Sequence, residues 1–229
     1  TVNYLDSWEG FTWDRISQYN ALMLFSFPHE VDGVVYRPLE RPVKGPGTSA
    51  TLALVDRFLQ AGGGVLMDLH YVGRTTPVFN NVRQVVRRWG ADIPMERINV
   101  PPVHVRKHPR LRELPFFLTE NVMDTPVSAG VSQVWWPNHE KSYKHYVRFS
   151  GPIYVNDEWD VVLRAPKGSR TYPHKPGHPE SIPASDRLDD ALVRAEGVAE
   201  PPLFAIRDLR PGRLALFHCL SVFYVGSGT

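Results

Sequence analysis

Residues 48–70, TSATLALVDRFLQAGGGVLMDLH, join a helical pattern, a glycine stop and an apolar run in one stretch. Apolar side chains recur at the spacing of one helix face, and the glycines at 62–64 end that pattern. We predict a helix that runs from a cap at Thr48 or Ser49 to about Ala61, followed by a buried strand at Val65–Leu69. The apolar positions of the helix are Leu52, Leu54, Val55, Phe58 and Leu59.

A second apolar run lies upstream of this helix. Residues Asn20–Phe27 read NALMLFSF and end at Pro28, as expected of a strand that is buried on both faces of a parallel sheet. The stretch His29–Gly47 is rich in turn-forming residues and is predicted to be a loop. Strand, helix and strand then form a βαβ unit, whose crossover should be right-handed.

The remainder of the chain changes character beyond Asp92, because short alternating segments and proline-rich connections replace the helical pattern. A helix is predicted at Pro77–Trp89, upstream of Asp92. Downstream of Asp92, the segment Lys167–Pro183 has the least ordered pattern of the chain. Strands are predicted at Val100–Val105, Gln133–Trp136 and Trp159–Ala165, and a late β-hairpin at Leu203–Arg207 and Arg213–His218.

The composition indicates an ordinary globular protein. Of the 229 residues, 42% are hydrophobic and 22% are charged, which suits a single domain over residues 1–229. The net charge of +2 is too small, and the basic residues too scattered, to predict a nucleic-acid partner. No apolar run reaches the roughly 20 residues of a membrane span, so we expect a soluble protein of the cytoplasm, the periplasm or the extracellular space.

Several pieces of the sequence resemble class I glutamine amidotransferase-like domains, near the branch of the trehalose-utilisation proteins. The pieces are QYNALMLFSFP (18–28), ALVDRFLQAGGGVLMDLH (53–70), FAIRDLRPGRLALFH (204–218) and, more weakly, DTPVSAGVSQVWWP (124–137). The resemblance implies an α/β fold, a flavodoxin-like parallel sheet with helices on both faces. To this fold we add a β-rich, proline-rich C-terminal half that contains the late hairpin.

The sequence departs from that family in two places. A glutamine amidotransferase needs a nucleophilic cysteine on the turn after the Val65–Leu69 strand, where this chain has Asp68, Leu69, His70 and Tyr71. The single cysteine, Cys219, follows the last hairpin strand, so we predict a buried thiol and no glutamine hydrolysis. Only Val2–Leu5 could form a strand before Asn20, and Thr1 is not a methionine, which suggests a processed chain or one domain of a longer, bacterial protein.

Asp68 and His70 are the candidate catalytic residues. Both follow a strand of the predicted parallel sheet, and ligands of such sheets bind at the carboxyl ends of the strands. His70 would be a base or a metal ligand there. The alternative is that Asp68 caps the following turn and that His70 hydrogen-bonds to a loop.

The candidate ligand-binding residues are Trp135, Trp136, His139 and Glu140. Aromatic rings next to polar side chains are typical of carbohydrate sites, because a ring packs on the C–H face of a sugar while polar groups bind its hydroxyls. The alternative is that one tryptophan packs in the core and the other lies at an interface. A glycosidase would need two facing carboxylates, for which Asp68, Glu140, Asp157 and Glu158 are candidates.

Two histidine pairs have a spacing of four residues, His104 with His108 and His174 with His178. Neither pair belongs to a zinc motif, so no metal ligand is assigned and the cofactor stays unknown. The favoured function is a non-catalytic or diverged amidotransferase-like domain that binds a carbohydrate or another small molecule, or that contacts other domains of its parent chain. The alternative is a hydrolase or a metal-assisted enzyme that uses His70 and Asp68. The oligomeric state is left open.

Overall fold

The computed structural model describes residues 8–25, 29–31, 34–36, 44–68, 83–94, 96–107, 115–137, 151–173 and 197–218. Strands predominate in this part of the chain. They are β1 (Ala21–Phe25), β2 (His29–Val31), β3 (Val34–Tyr36), β4 (Gly64–Asp68), β5 (Ala91–Asp92), β6 (Glu96–Asn99), β7 (Val105–Lys107), β8 (Pro115–Thr119), β9 (Val134–Pro137), β10 (Tyr154–Val155), β11 (Asp160–Arg164), β12 (Arg170–Pro173), β13 (Pro202–Asp208) and β14 (Arg213–Phe217). The helices are α1 (Trp13–Ile16), α2 (Thr48–Gln60), a helical segment at 83–87, and 3₁₀ turns at Trp8–Gly10 and Pro102–His104.

The central sheet has five strands in the order β1-β4-β14-β13-β11. Strand β4 pairs in parallel with both β1 and β14. Strand β13 is antiparallel to β14 and to β11, so the sheet is mixed. The predicted unit of strand, helix and strand is present as β1, α2 and β4, and the predicted late hairpin is present as β13 and β14.

The two faces of this sheet are covered by different kinds of structure. On one face, Val55, Phe58 and Leu59 of α2 pack into a core with strand residues such as Val65 and Met67. The segment at 83–87 joins this core through Val85 and Val86, and Trp89 follows it there.

On the other face, Phe117 of β8 and Trp136 of β9 pack with Phe217 of β14. These two strands belong to a three-stranded antiparallel sheet of order β7-β8-β9. The central sheet therefore lies between helices and a second, smaller sheet.

The predicted flavodoxin-like α/β fold, a parallel sheet with helices on both faces, is wrong. The described chain is β-rich with few helices, and its sheets are small and mixed. The physical reason is that a helical crossover is needed only between parallel strands, whereas β13 pairs antiparallel with both β11 and β14 and is joined to β14 by a short turn. The face opposite α2 is then covered by β7, β8 and β9 instead of by helices.

Several local predictions also need correction. The predicted loop His29–Gly47 contains a short hairpin of β2 and β3. Strand β12 lies inside Lys167–Pro183, where it pairs with β6. Val100–Val105 contains a 3₁₀ turn at Pro102–His104, and strand β7 begins only at Val105. The cap of α2 is Gly47, not Thr48 or Ser49.

Other predictions agree with the structure where it describes them. Gln133–Trp136 and Trp159–Ala165 correspond to β9 and β11. Of the predicted helix Pro77–Trp89, residues 83–87 are helical and 77–82 lie outside the described residues, as does Val2–Leu5. None of the described helices is both long and apolar enough to cross a lipid bilayer.

Candidate functional site

The sheet of β7, β8 and β9 has one face in the core and one face turned away from it. Val105, Phe117 and Trp136 are register partners, and all three pack in the core that covers Phe217. Because successive side chains of a strand point to opposite faces, the alternate residues lie on the other face, namely Arg106, Phe116, Leu118, Trp135 and Pro137. Phe116 and Pro137 are buried there, whereas Leu118 and Trp135 are partly exposed. We call this surface of Arg106, Leu118 and Trp135 the outer face.

The two neighbouring tryptophans have different environments. Trp136 is 6% exposed and lies edge-on to Phe217, with the ring centroids 6.2 Å apart. Trp135 is partly exposed and lies opposite Leu118 on the neighbouring strand. The buried indole of Trp136 offers no ring face to a ligand, whereas Trp135 keeps part of its surface accessible. His139 and Glu140, predicted to bind the same ligand, lie outside the described residues.

Arg106 is exposed at the other side of the outer face. Its guanidinium donates a hydrogen bond to the carbonyl of Val105 at 3.1 Å. Within the described ranges, no carboxylate lies at salt-bridge distance from Arg106. Its cationic group is therefore directed to solvent and can interact with a ligand.

Asp68 is the last residue of β4 and is only 2% exposed. Its register partners are Phe25 on β1 and Phe217 on β14, so it lies at the carboxyl end of three parallel strands. This is the position at which open α/β sheets bind ligands. His70, its predicted catalytic partner, lies outside the described residues.

A second buried ionisable residue lies at the same edge. His218 directly follows β14 and is fully buried. The Gly151 N–H donates to the carbonyl of His218 at 3.2 Å, and a Cβ on Gly151 would lie only 2.2 Å from His218 Nδ1. His218 was not predicted to lie at this edge. The signal was present in the sequence, because His218 comes directly after an apolar strand, as a polar residue at the same end of the sheet as Asp68.

Glu96 is a buried carboxylate that sequence reasoning also missed. Its Oε2 accepts a hydrogen bond from the Tyr154 hydroxyl, and Thr171 Oγ1 accepts one from the Val198 N–H at 2.8 Å. The Tyr154 hydroxyl lies 3.5 Å from that Thr171 oxygen. These contacts connect β6, β10 and β12, so the cluster holds short strands together.

The remaining sequence candidates do not converge on one place in the described residues. Asp157 and Glu158 lie in an exposed turn, and Glu158 forms an ion pair with Arg207 at 2.7 Å. His104 is partly exposed in its 3₁₀ turn. No three His, Cys, Asp or Glu side chains gather as a metal site within the described ranges. His108, His174, His178 and Cys219 lie outside them.

A small groove lies on the helical side of the molecule, away from the outer face. It has a volume of about 190 Å³ and is lined by Asp56, Leu59, Gln60, Trp89 and Leu209. Asp56 on its wall is already paired with Arg88 at 2.5 Å. The groove is smaller than the roughly 300–1,000 Å³ of a typical small-molecule pocket. It therefore gives no support for a deep substrate pocket at this place.

Comparison with known proteins gives a relation at the level of fold. The structure is similar to the mmIFT52 N-terminal domain, with a TM-score of 0.50 and 13% identity over 91% of this chain and 69% of that one. It also matches the cytoplasmic protein STM3548 from Salmonella typhimurium, with a TM-score of 0.40 and 12% identity over 90% of this chain and 62% of that one. No protein-family model matches the sequence. None of the curated proteins is significantly similar to it.

These likenesses concern the fold alone, because the identities are low. They assign no ligand, partner or reaction to this chain. The relation to glutamine amidotransferase-like proteins stays a prediction from the sequence pieces quoted above.

Proposed function

We propose that this chain is a ligand-binding domain of a larger protein, without a reaction of its own, and that its ligand is a carbohydrate. The observation that carries the proposal is the placement of Trp135. It is partly exposed on the outer face, while its neighbour Trp136 is packed in the core.

The chemistry of the outer face suits a sugar ring. An indole packs well on the C–H face of a pyranose, and Leu118 next to Trp135 extends the apolar strip. The strand that carries Trp135 is held in place by the buried Trp136 beside it. Such a pre-ordered surface loses little conformational entropy when a ligand binds, which favours affinity.

The proposal is tested by titrating the protein with neutral and acidic oligosaccharides, followed by tryptophan fluorescence and calorimetry. We expect binding to at least one of them, and a loss of affinity of about tenfold or more, or roughly 1.4 kcal/mol, in Trp135→Ala. Trp13→Ala is the matched control, because Trp13 is a partly buried tryptophan that packs against the helical core. Circular dichroism checks that both variants are folded. Equal affinity of Trp135→Ala and the unchanged protein would contradict the proposal.

A second candidate function is hydrolysis with Asp68 and His70 as the reacting groups. It is favoured by one observation, the burial of Asp68 at the carboxyl end of three parallel strands. Hydrolase activity that disappears in Asp68→Asn, together with stoichiometric zinc, copper or iron in the purified protein, would support this candidate over the first. Release of ammonia from glutamine is not expected, since the turn after β4 has no cysteine.

A further inference from the structure

We propose that the loop between β8 and β9, residues 120–133, is a docking surface for a second protein that presents apolar side chains beside Lys or Arg. We call this segment the β8–β9 loop. Three of its large apolar side chains are exposed to solvent, Met123 by 37%, Val127 by 46% and Val131 by 45%. Exposed apolar side chains that gather in one short segment mark interaction sites, whereas single ones are ordinary. The inference goes beyond the proposed function and does not rest on it.

Hydrogen bonds hold the backbone of the β8–β9 loop in place. The Met123 N–H donates to the carbonyl of Val162 at 3.0 Å, which attaches the start of the loop to β11. The Ser128 hydroxyl donates to the carbonyl of Met123 at 2.6 Å and accepts from the Thr125 N–H at 3.0 Å. The Val131 N–H donates to the carbonyl of Ser128 at 2.9 Å. The apolar side chains are thus presented on a fixed backbone, so binding of a partner costs little conformational entropy.

The charge of this surface is negative. Residues 120–133, ENVMDTPVSAGVSQ, contain Glu120 and Asp124 and no Lys or Arg. A third carboxylate, Asp160, starts β11 and lies two residues before Val162, to whose carbonyl the loop is bonded. All three carboxylates are exposed. Within the ranges that the structure describes, none of them lies at salt-bridge distance from a Lys or Arg.

The cations on the neighbouring strands do not neutralise this charge. Arg207 is already ion-paired with Glu158 at 2.7 Å. Arg164 ends β11, four residues from Asp160, which is about 13 Å along the strand. Lys167 is exposed still further along the chain. Both separations exceed the Debye length of about 8 Å at physiological salt, so the negative charge at the start of β11 remains available to a partner.

The sign of the charge decides between the possible occupants of the loop. Membrane surfaces and nucleic acids are anionic, and proteins bind them through Lys and Arg. In a two-fold dimer through this loop, the same carboxylates of both copies would face each other and repel. A cationic protein surface instead attracts Asp124 and Asp160 while its apolar side chains cover Val127 and Val131. Because the loop is short, we expect a small and transient interface.

The experiment uses three peptides of about 15 residues, long enough to form a helix, as probes. The first is an amphipathic helix of Leu and Lys, the second has Glu in place of every Lys, and the third has Ala in place of every Leu. Each is titrated into isotope-labelled protein at about 50 mM salt, where charge interactions are weakly screened. We expect the Leu/Lys peptide to bind about tenfold more tightly than the other two, with its largest amide shift changes in residues 121–131.

Variants of the loop separate its apolar and its charged contributions. Val127→Ser should weaken the binding of the Leu/Lys peptide by about tenfold, and Asp124→Asn should reduce its advantage over the Leu/Glu peptide. Met23→Ser is the matched control, because Met23 is an exposed apolar residue of β1, outside the loop, and it should change neither result. Circular dichroism checks that the variants are folded.

The results that would overturn the proposal are equally specific. They are no binding of the Leu/Lys peptide, largest shift changes outside 121–131, equal binding of the Leu/Lys and Leu/Glu peptides, or unchanged affinity in Val127→Ser. A dimer seen by sedimentation, or binding to phosphatidylserine vesicles, that is lost in Val127→Ser would assign the loop to a second copy or to a membrane instead. Failure of the protein to bind any sugar would refute the proposed function and leave this inference standing.

Discussion

Asp92 shows how the environment of a single residue changes its chemistry. Burial by itself raises the pKa of the Asp92 carboxyl, but hydrogen bonds and charge attraction from Arg83, and then from Arg87, outweigh it and hold the pKa below its ordinary value of 3.8. Arg83 binds both carboxylate oxygens, at 2.7 and 2.5 Å, and is itself buried. This pair attaches the helical segment at 83–87 to β5.

Replacing Arg83 by Gln should destabilise the protein by about 3 kcal/mol at pH 7, since it leaves a largely buried carboxylate without its main partner. Arg87→Gln is the control and should cost less than about 1 kcal/mol, because Arg87 is half-exposed. Because the folded pKa of Asp92 is depressed, its stabilisation is present above pH 4 and is lost as the pH falls through the lower folded value. Urea unfolding at pH 7 and pH 3 measures the loss of stability caused by Arg83→Gln. An equal loss at both pH values would contradict the conclusion that Arg83 acts through the charged form of Asp92.

Single residues also show what a sequence can and cannot tell. The position of Asp68 at a strand end was predictable, because VLM before it and the glycines before that define the strand. The sequence did not predict which of Trp135 and Trp136 is buried. Alternation along a strand requires that the two side chains point to opposite faces, but it does not say which face packs on a core. Arg106 was missed for the same reason, as its face depends on pairing with β8.

Secondary-structure elements were predictable where the pattern is long. Helix α2 and strands β4, β13 and β14 have strong apolar patterns with glycine stops or a Pro-Gly turn beside them. The hairpin of β2 and β3 and strand β12 were missed, because strands of three or four residues leave too short a pattern to distinguish from a loop.

The junction between the late hairpin and α2 gives a prediction for one glycine. A Cβ on Gly212 would lie 2.3 Å from the carbonyl oxygen of Leu59 and 2.8 Å from its carbonyl carbon, and both are backbone atoms of the helix rather than the end of a flexible side chain. Gly212→Ala should therefore destabilise the protein by about 1–3 kcal/mol, the cost of overpacking. Gly64→Ala is the control, because its Cβ would meet its nearest atoms at 3.8 and 3.9 Å. Thermal unfolding compares the two variants, and equal midpoints would contradict this description of the junction.

At the scale of the whole molecule, the prediction of the fold class was wrong because it depends on which distant strands pair with each other. The first half of the chain predicted a parallel sheet, and three strands do pair in parallel. The short alternating segments of the second half predicted β structure. They did not predict that β13 and β11 would extend the central sheet as antiparallel strands. Nor did they show that β7, β8 and β9 would cover the face where helices were expected. Pairing between distant strands depends on the packing of the complete fold rather than on local patterns.

The central claim is that the outer face of β7, β8 and β9 binds a carbohydrate. The most direct measurement is a map of backbone amide chemical shifts in isotope-labelled protein, with and without the oligosaccharide that binds best. We expect the largest changes in residues 104–107, 116–119 and 134–136, and we expect them to disappear in Trp135→Ala. Largest changes at 64–68 and 213–218, around Asp68 and His218, would contradict it and place the ligand at the carboxyl ends of the parallel strands.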